Sequence, residues 1–338
     1  MKTIALNRGT LELPGSWDEL TYDQKVFAFA RLKAMTEKKI SPLLFRILML
    51  QHLTGYKPSS GVFTMYLKQM VYWLQIPFVS IFYLFRFGTG LRYRAYLIVW
   101  KDCHRPQRKN RDAINHNLFI LSEQLDFAFR IEDFKIIWNR CFHKNPFPYL
   151  EIAGRKFTGR KFIQDVAPFT NITAKEYCDC CELYSGYINS QDTAYKERCA
   201  DKLISILYPA AENYNENLVS DHMELISSLS AEIKFGIMFW FAGIVEFYTT
   251  HPIYSILFKT DKNKEEREGK ISIGMNETIL LIKKKGYSSI VTDTVNDFFD
   301  AQIKILKDYF SELIASGMKI EDLAAKTGYS IDIINKLI

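Results

Sequence analysis

Signals that start and stop helices recur along this chain, and they constrain its fold more than any other feature. Ser16-Trp17-Asp18-Glu19 and Thr21-Tyr22-Asp23-Gln24 each place a hydroxyl three residues before an acid or amide. That spacing lets the hydroxyl accept from the third backbone amide while the acid or amide reaches back. It predicts a short turn and then a helix over Tyr22–Thr36. Ser41-Pro42 offers an N-cap with proline at the first helical position, and Gly55 a stop after Leu44, Phe45, Ile47, Leu48, Leu50 and Leu53. Thr173-Ala174-Lys175-Glu176 opens a helix to about residue 188, and Asp192 opens the next, ended by Tyr208-Pro209. Residues 220–248 read as one or two helices with an apolar face. Residues 275–285, 291–316 and 320–338 are helical by pattern, and 117–130 falls in a first half that reads as mostly helical.

Two short hairpins interrupt the helices. One is expected at the start, where Thr3-Ile4-Ala5-Leu6 and Thr10-Leu11-Glu12-Leu13 flank Asn7-Arg8-Gly9. The other lies near 149–158, where Tyr149-Leu150-Glu151-Ile152 and Arg155-Lys156-Phe157-Thr158 alternate about Ala153-Gly154. The expected fold is therefore mainly α, a multi-helix bundle with small β-hairpins. Its expected organisation is a basic, mainly helical region over 1–145, a helical region opened by a hairpin over 146–258, a charged linker or loop over 259–270, and C-terminal helices over 271–338. The 259–270 segment holds five basic and four acidic residues in twelve without a hydrophobic anchor.

Composition narrows the function classes. With 338 residues, 48% hydrophobic, 24% charged and 25 Phe beside 19 Tyr, the chain has enough apolar material for a large aromatic core and is neither fibrous nor disordered. Its net charge of +6 conceals a polarity. Residues 1–160 carry 25 Lys and Arg against 12 Asp and Glu, or +13, and residues 161–338 carry 19 against 26, or −7. Such polarity suits docking between halves or subunits, a homo-oligomer included. The opening residues lack the apolar core of a secretory signal, and Cys178, Cys180 and Cys181 crowd together, unlike a spaced disulfide framework. Reduced thiols in a cytoplasmic setting are expected. The longest uncharged apolar run, 69–85, is seventeen residues with Pro77 inside it. It sits at the lower limit for a membrane span, and a buried helix pair hinged at Pro77 is the favoured reading.

The common catalytic signatures are absent. No G-x-S-x-G elbow, H-E-x-x-H pair, phosphate-binding glycine loop or dinucleotide fingerprint occurs. Cys178 and Cys181 are one helical turn apart, but no second pair at matching spacing completes a zinc site, so they read as core. Asp293, Asp297 and Asp300 share a helical face and read as first-turn carboxylates answering the helix dipole. No catalytic residue, cofactor or metal is expected.

Two segments are candidates for binding. Arg86, Arg92, Arg94, Lys101, Arg105, Arg108, Lys109 and Arg111 are opposed within that stretch by Asp102 alone and interleave with Tyr93, Tyr96 and Trp100. Cations with aromatics suit single-stranded nucleic acid, whereas the alternative is a solvated loop whose charge meets an acidic partner surface. The last nineteen residues resemble the helix-turn-helix of phage repressors. Ala324 stands where packing needs a small side chain, Gly328 at the turn and Ile334 at the apolar position of the second helix. Its outer face would present Ser330, Asp332, Asn335 and Lys336, which is poor in cations for a DNA-reading helix.

Leu13-Pro14-Gly15-Ser16-Trp17-Asp18-Glu19-Leu20-Thr21-Tyr22-Asp23-Gln24 resembles the opening of a group of phage and prophage tail-region proteins from Bacteroidota that begin L-P-x-S-W-x-E-L-T-x-x-Q. Residues 149–159 are similar to the group's central hairpin, 172–187 to its following helix, and 231–258 to its apolar helix ending in a Leu-Phe pair. Leu203-Ile204-Ser205-Ile206-Leu207-Tyr208-Pro209 resembles a segment that usually reads L-x-x-L-Y-R-P, departing from it in lacking the arginine. The resemblance implies a non-enzymatic, chaperone-like tail-assembly factor or minor tail component. It would act in the host cytoplasm or on the virion, with tape-measure or other tail proteins as partners. Nucleic-acid binding through 86–111 and the terminal helix pair is the alternative, and membrane association through 69–85 a third reading.

Overall fold

Thr21 accepts from the Gln24 N–H while the Gln24 side chain accepts from Thr21 N–H at 2.9 Å, so the first helix, α1 (Tyr22–Thr36), begins in a complete capping box. Ser41 caps α2 (Pro42–Thr54), accepting from Leu44 N–H at 3.2 Å. Gly55 then ends that helix in the left-handed region, φ 66°. These are features of a computed structural model, which describes residues 1–6, 9–55, 121–133, 135–164, 168–210, 216–258, 293–327 and 329–338. The expected elements within 56–120 and 259–292, including the apolar run at 69–85 and the charged stretch at 259–270, lie outside the described residues.

The described fold is mainly α-helical with small two-stranded antiparallel hairpins, as the helix punctuation predicts. β1 (Lys2–Leu6) pairs with β2 (Gly9–Leu13) in the register Lys2↔Leu13. β3 (Phe129–Glu132) pairs with β4 (Lys135–Trp138), and β5 (Tyr149–Ile152) with β6 (Arg155–Thr158). A two-residue ladder joins β7 (Phe162–Ile163) to β8 (Phe169–Thr170). The remaining α-helices among the described residues are α3 (Ala174–Asn189), α4 (Thr193–Leu207), α5 (Glu216–Ser227), α6 (Ala231–Thr250), α7 (Val295–Ala315), α8 (Ile320–Thr327) and α9 (Ile331–Leu337).

Two local expectations differ from the structure. The expected short turn forms as a single 3-10 turn, Trp17–Glu19, but Ser16 makes no side-chain cap to it; Glu19 instead accepts from Gly15 N–H at 2.7 Å. Phe129 and Arg130, at the end of the 117–130 stretch, belong to the strand Phe129–Glu132 rather than to a helix. Asp133 turns the chain at φ 47°, and the buried Phe129 ring meets Trp138 across the ladder at 6.0 Å.

The chain divides into two units, residues 1–141 with 231–236, and residues 142–230 with 237–338. In the first, Trp17 is fully buried. It stacks on Phe29 at 4.9 Å, meets Phe127 edge-on at 5.0 Å and donates its indole N–H to the Asn139 carbonyl at 2.8 Å. Arg46, also buried, lies over Phe129 at 5.2 Å and faces Glu123 at 3.9 Å.

In the second unit the N-termini of α3 and α7 lie side by side. Both open in capping boxes, Thr173 with Glu176 and Thr294 with Asp297. A β-bridge joins Thr173 to Thr294, with Ala174 N–H donating to Asp293 O at 3.1 Å and Val295 N–H to Ile172 O at 3.0 Å. Below them Tyr177, Tyr248 and Phe299 pack mutually, with ring centroids 5.0 to 5.8 Å apart. Such pairs each add about 0.5–1.5 kcal/mol beyond the area they hide. The Tyr248 hydroxyl donates to Asn296 at 2.6 Å, and Asn296 donates to the Pro168 carbonyl at 2.7 Å.

The β5–β6 turn places Ala153 at φ 49° and Gly154 at φ 73°. A Cβ-bearing alanine is unfavourable there, where asparagine is tolerated. Ala153→Asn should therefore stabilise the protein by about 0.5–1 kcal/mol, read as a raised midpoint in thermal or urea unfolding.

Candidate interaction surfaces and a buried polar clasp

The sequence-derived candidates fare differently. Arg86, Arg92, Arg94, Lys101, Arg105, Arg108, Lys109 and Arg111 all lie outside the described residues. So does Gly328 of the terminal helix pair, whose other positions are described.

α8 and α9 pack on α7 around a cluster of Ile256, Phe310, Leu323, Ile333, Ile334 and Leu337, with Ala324 and Tyr329 against its edge. Ile334 is fully buried and the Phe310 and Tyr329 rings meet at 5.7 Å. The inner positions of a helix pair are thus met by Ala324 and Ile334. The outer face carries Ser330, Ile331, Asp332, Asn335 and Lys336, all exposed. Across residues 320–338, exposed Lys326 and Lys336 stand against exposed Glu321, Asp322 and Asp332, a balance of 2 − 3 = −1. Phosphate contacts dominate DNA affinity, and this face offers them little.

The cysteine cluster is interior. Cys178 and Cys180 are buried on α3, Cys199 is buried on α4, and Cys181 is half-buried. Burial pushes the Cys178 and Cys181 thiols up to about 12 and the Cys180 thiol well above its ordinary value. Protonated thiols are poor nucleophiles and poor metal ligands. Among the described residues no group of three or more His, Cys, Asp or Glu is arranged to hold a metal ion. Of the three aspartates expected on one helical face, Asp293 precedes the Thr294 N-cap and lies outside the helix, where its carbonyl belongs to the bridge between helix starts; Asp297 completes a capping box, and Asp300 accepts from the Tyr254 hydroxyl at 3.0 Å.

One polar constellation among the described residues was not legible in the sequence. It forms where α4 ends against the chain leaving β6. Arg160 N–H donates to Leu207 O at 2.8 Å, and Gly159 N–H to Pro148 O at 2.9 Å. The Tyr208 hydroxyl lies 2.7 Å from the Phe147 carbonyl and 3.0 Å from Asn145 Oδ1, both acceptors. Asn145 Oδ1 also accepts from Phe147 N–H at 2.9 Å, while its amide donates to Arg160 O at 3.1 Å. Residues 159–160 are thereby held between 145–148 and 207–208.

Two further ties extend this clasp. The Arg160 guanidinium pairs with Glu176, which is fully buried and also accepts from Thr173 N–H at 2.9 Å. Burial raises the Glu176 carboxyl above its ordinary range, with Arg160 and the Thr173 amide opposing it. His222 on α5 donates from Nε2 to the Tyr208 carbonyl at 2.7 Å. Every one of these groups is engaged with another part of the fold, so the clasp is a structural joint.

Comparison of the chain with protein-family models, with curated proteins and with solved structures finds no match.

The clasp leaves no room for a side chain at position 159. A Cβ there would lie 2.6 Å from Asn145 Nδ2 and 2.6 Å from a Tyr208 ring carbon. Gly159→Ala should destabilise the protein by about 1–3 kcal/mol, measured by urea unfolding. Arg160→Met should cost about 3–5 kcal/mol, because it leaves the Glu176 carboxylate buried and unpaired.

Proposed function

We propose that this chain is a non-enzymatic phage or prophage protein that binds other proteins during tail assembly, as a chaperone-like factor or a minor tail component. The observation that carries this reading is the ordered series of sequence blocks resembling the tail-region group. Several of those blocks meet in space. The Tyr149–Ile152 and Arg155–Thr158 hairpin, with Gly159, closes on Tyr208 of the Leu-Tyr-Pro segment. Tyr177 of the 172–187 block packs on Phe241 and Tyr248 of the 231–258 block. Trp17 of the opening block is the buried centre of the first unit. Residues that jointly build a scaffold are those that a family of proteins would share.

Chemistry on the described residues points the same way. The buried thiols are held protonated and the polar groups of the clasp bond one another. No helix among the described residues is long and apolar enough to cross a membrane.

Nucleic-acid binding through the cations at 86–111 is the competing reading, and the acidic balance of the terminal helix pair weighs against it. Co-expression with the neighbouring tail genes, followed by affinity purification of this chain, should recover a stoichiometric complex with a tail protein. A chain that purifies alone across several buffers contradicts the proposal. A gel-shift series over salt with single-stranded DNA and RNA should show no shift; a shift at low salt that disappears steeply as salt rises establishes the nucleic-acid reading instead.

A further inference from the structure

α5 joins the rest of its unit through a stripe made of Val219, His222 and Ile226, all buried, at spacings of three and four residues. The middle member of this otherwise apolar stripe is a titratable ring. His222 is 4% exposed and its ring lies 4.5 Å from that of Phe157 on β6. Nε2 donates to the Tyr208 carbonyl, which places the proton of the neutral ring on that nitrogen. Nδ1 is buried and has no hydrogen-bond partner among the described residues.

Among the described side chains none sets a counter-charge against a second proton. On the hairpin, Glu151, Arg155 and Lys156 are exposed, opposite in the strand alternation to buried Phe157 or at the turn. On α4, the buried acid is Asp201, seven residues before Tyr208, and Lys202 is half-buried. On α5 itself Glu224 is exposed. Arg160, whose N–H bonds Leu207, directs its charge to Glu176. Burial depresses the imidazole below its ordinary range, and the Tyr208 carbonyl is the one influence opposing it.

From this geometry we propose that His222 is a proton-sensitive latch that holds α5 on the hairpin and the end of α4 when neutral, and releases it on acidification. Adding a proton to Nδ1 places an N–H and a positive charge where the described residues offer no acceptor for either. The released helix carries a histidine that is hydrated and free to hold the proton. The folded ring has the lower pKa, so the latch is fully effective above about pH 6.5 and weakens as pH falls through that value. Opening uncovers Val219, Ile226 and Phe157, turning a buried contact into an apolar surface.

Hydrogen–deuterium exchange on the full chain at pH 7.5 and 5.0, corrected for intrinsic exchange, tests this. Peptides over Glu216–Ser227 should lose protection by about tenfold on acidification, with a ceiling near thirtyfold set by the ordinary histidine pKa. Peptides over Ala174–Asn189 should change little. H222Q, which keeps a donor for the Tyr208 carbonyl, and H222F, which keeps a ring against Phe157, should each show equal α5 protection at both pH values. Unchanged wild-type protection over α5, or loss in step with α3, overturns the latch. So does an acid-induced loss that persists in whichever variant folds.

Discussion

Gly159 passes so close to Tyr208 that the end of a helix, the exit of a hairpin and the loop at 145–148 become one object. The backbone carbonyls of Phe147, Pro148, Arg160 and Leu207 and the side-chain carbonyl of Asn145 each lie within 3.1 Å of a donor around residues 159–160 and 207–208. Because α3 reaches the same point through Glu176 and α5 through His222, three helices are tied together at this joint. A buried polar joint of this kind stabilises little on its own, yet is costly to leave half-made. It selects one arrangement among the many in which aromatic helices could collapse.

The helix starts were legible because capping is local. Thr21 with Gln24 and Thr173 with Glu176 need four consecutive residues and nothing else, and both form as spaced. Ser16 shows the limit of that logic, since Glu19 has two amides within reach and bonds Gly15. The Phe129–Glu132 strand escaped because four residues give only two alternations, and their partners, Lys135–Trp138, place Ile136 and Ile137 toward solvent. The clasp escaped for a different reason. Its bonds join residues separated by as many as 63 positions, a pairing that no local pattern encodes. The nearest sequence cue is a glycine directly after a strand, which elsewhere would read as a turn.

Among the candidate sites, the interior of the terminal helix pair was readable from Ala324 and Ile334, because small and apolar side chains at fixed spacing define how two helices meet. Its outer chemistry, with acids outnumbering cations, separates helix-pair shape from DNA reading. The cysteines show the same separation of pattern from role. Their one-turn spacing is real, but burial keeps the thiols protonated. Across the described residues, then, groups that look reactive in sequence hold the scaffold together.

A double-mutant cycle between Tyr208→Phe and Asn145→Ala tests the clasp most directly, with unfolding free energies measured in urea for the wild type, both single variants and the pair. If the Tyr208 hydroxyl and the Asn145 side chain act as one joint, the two losses will fall short of additivity by about 1 kcal/mol or more. Additive losses, within about 0.3 kcal/mol, would show that the two groups act independently and contradict the clasp as the organising contact of this fold.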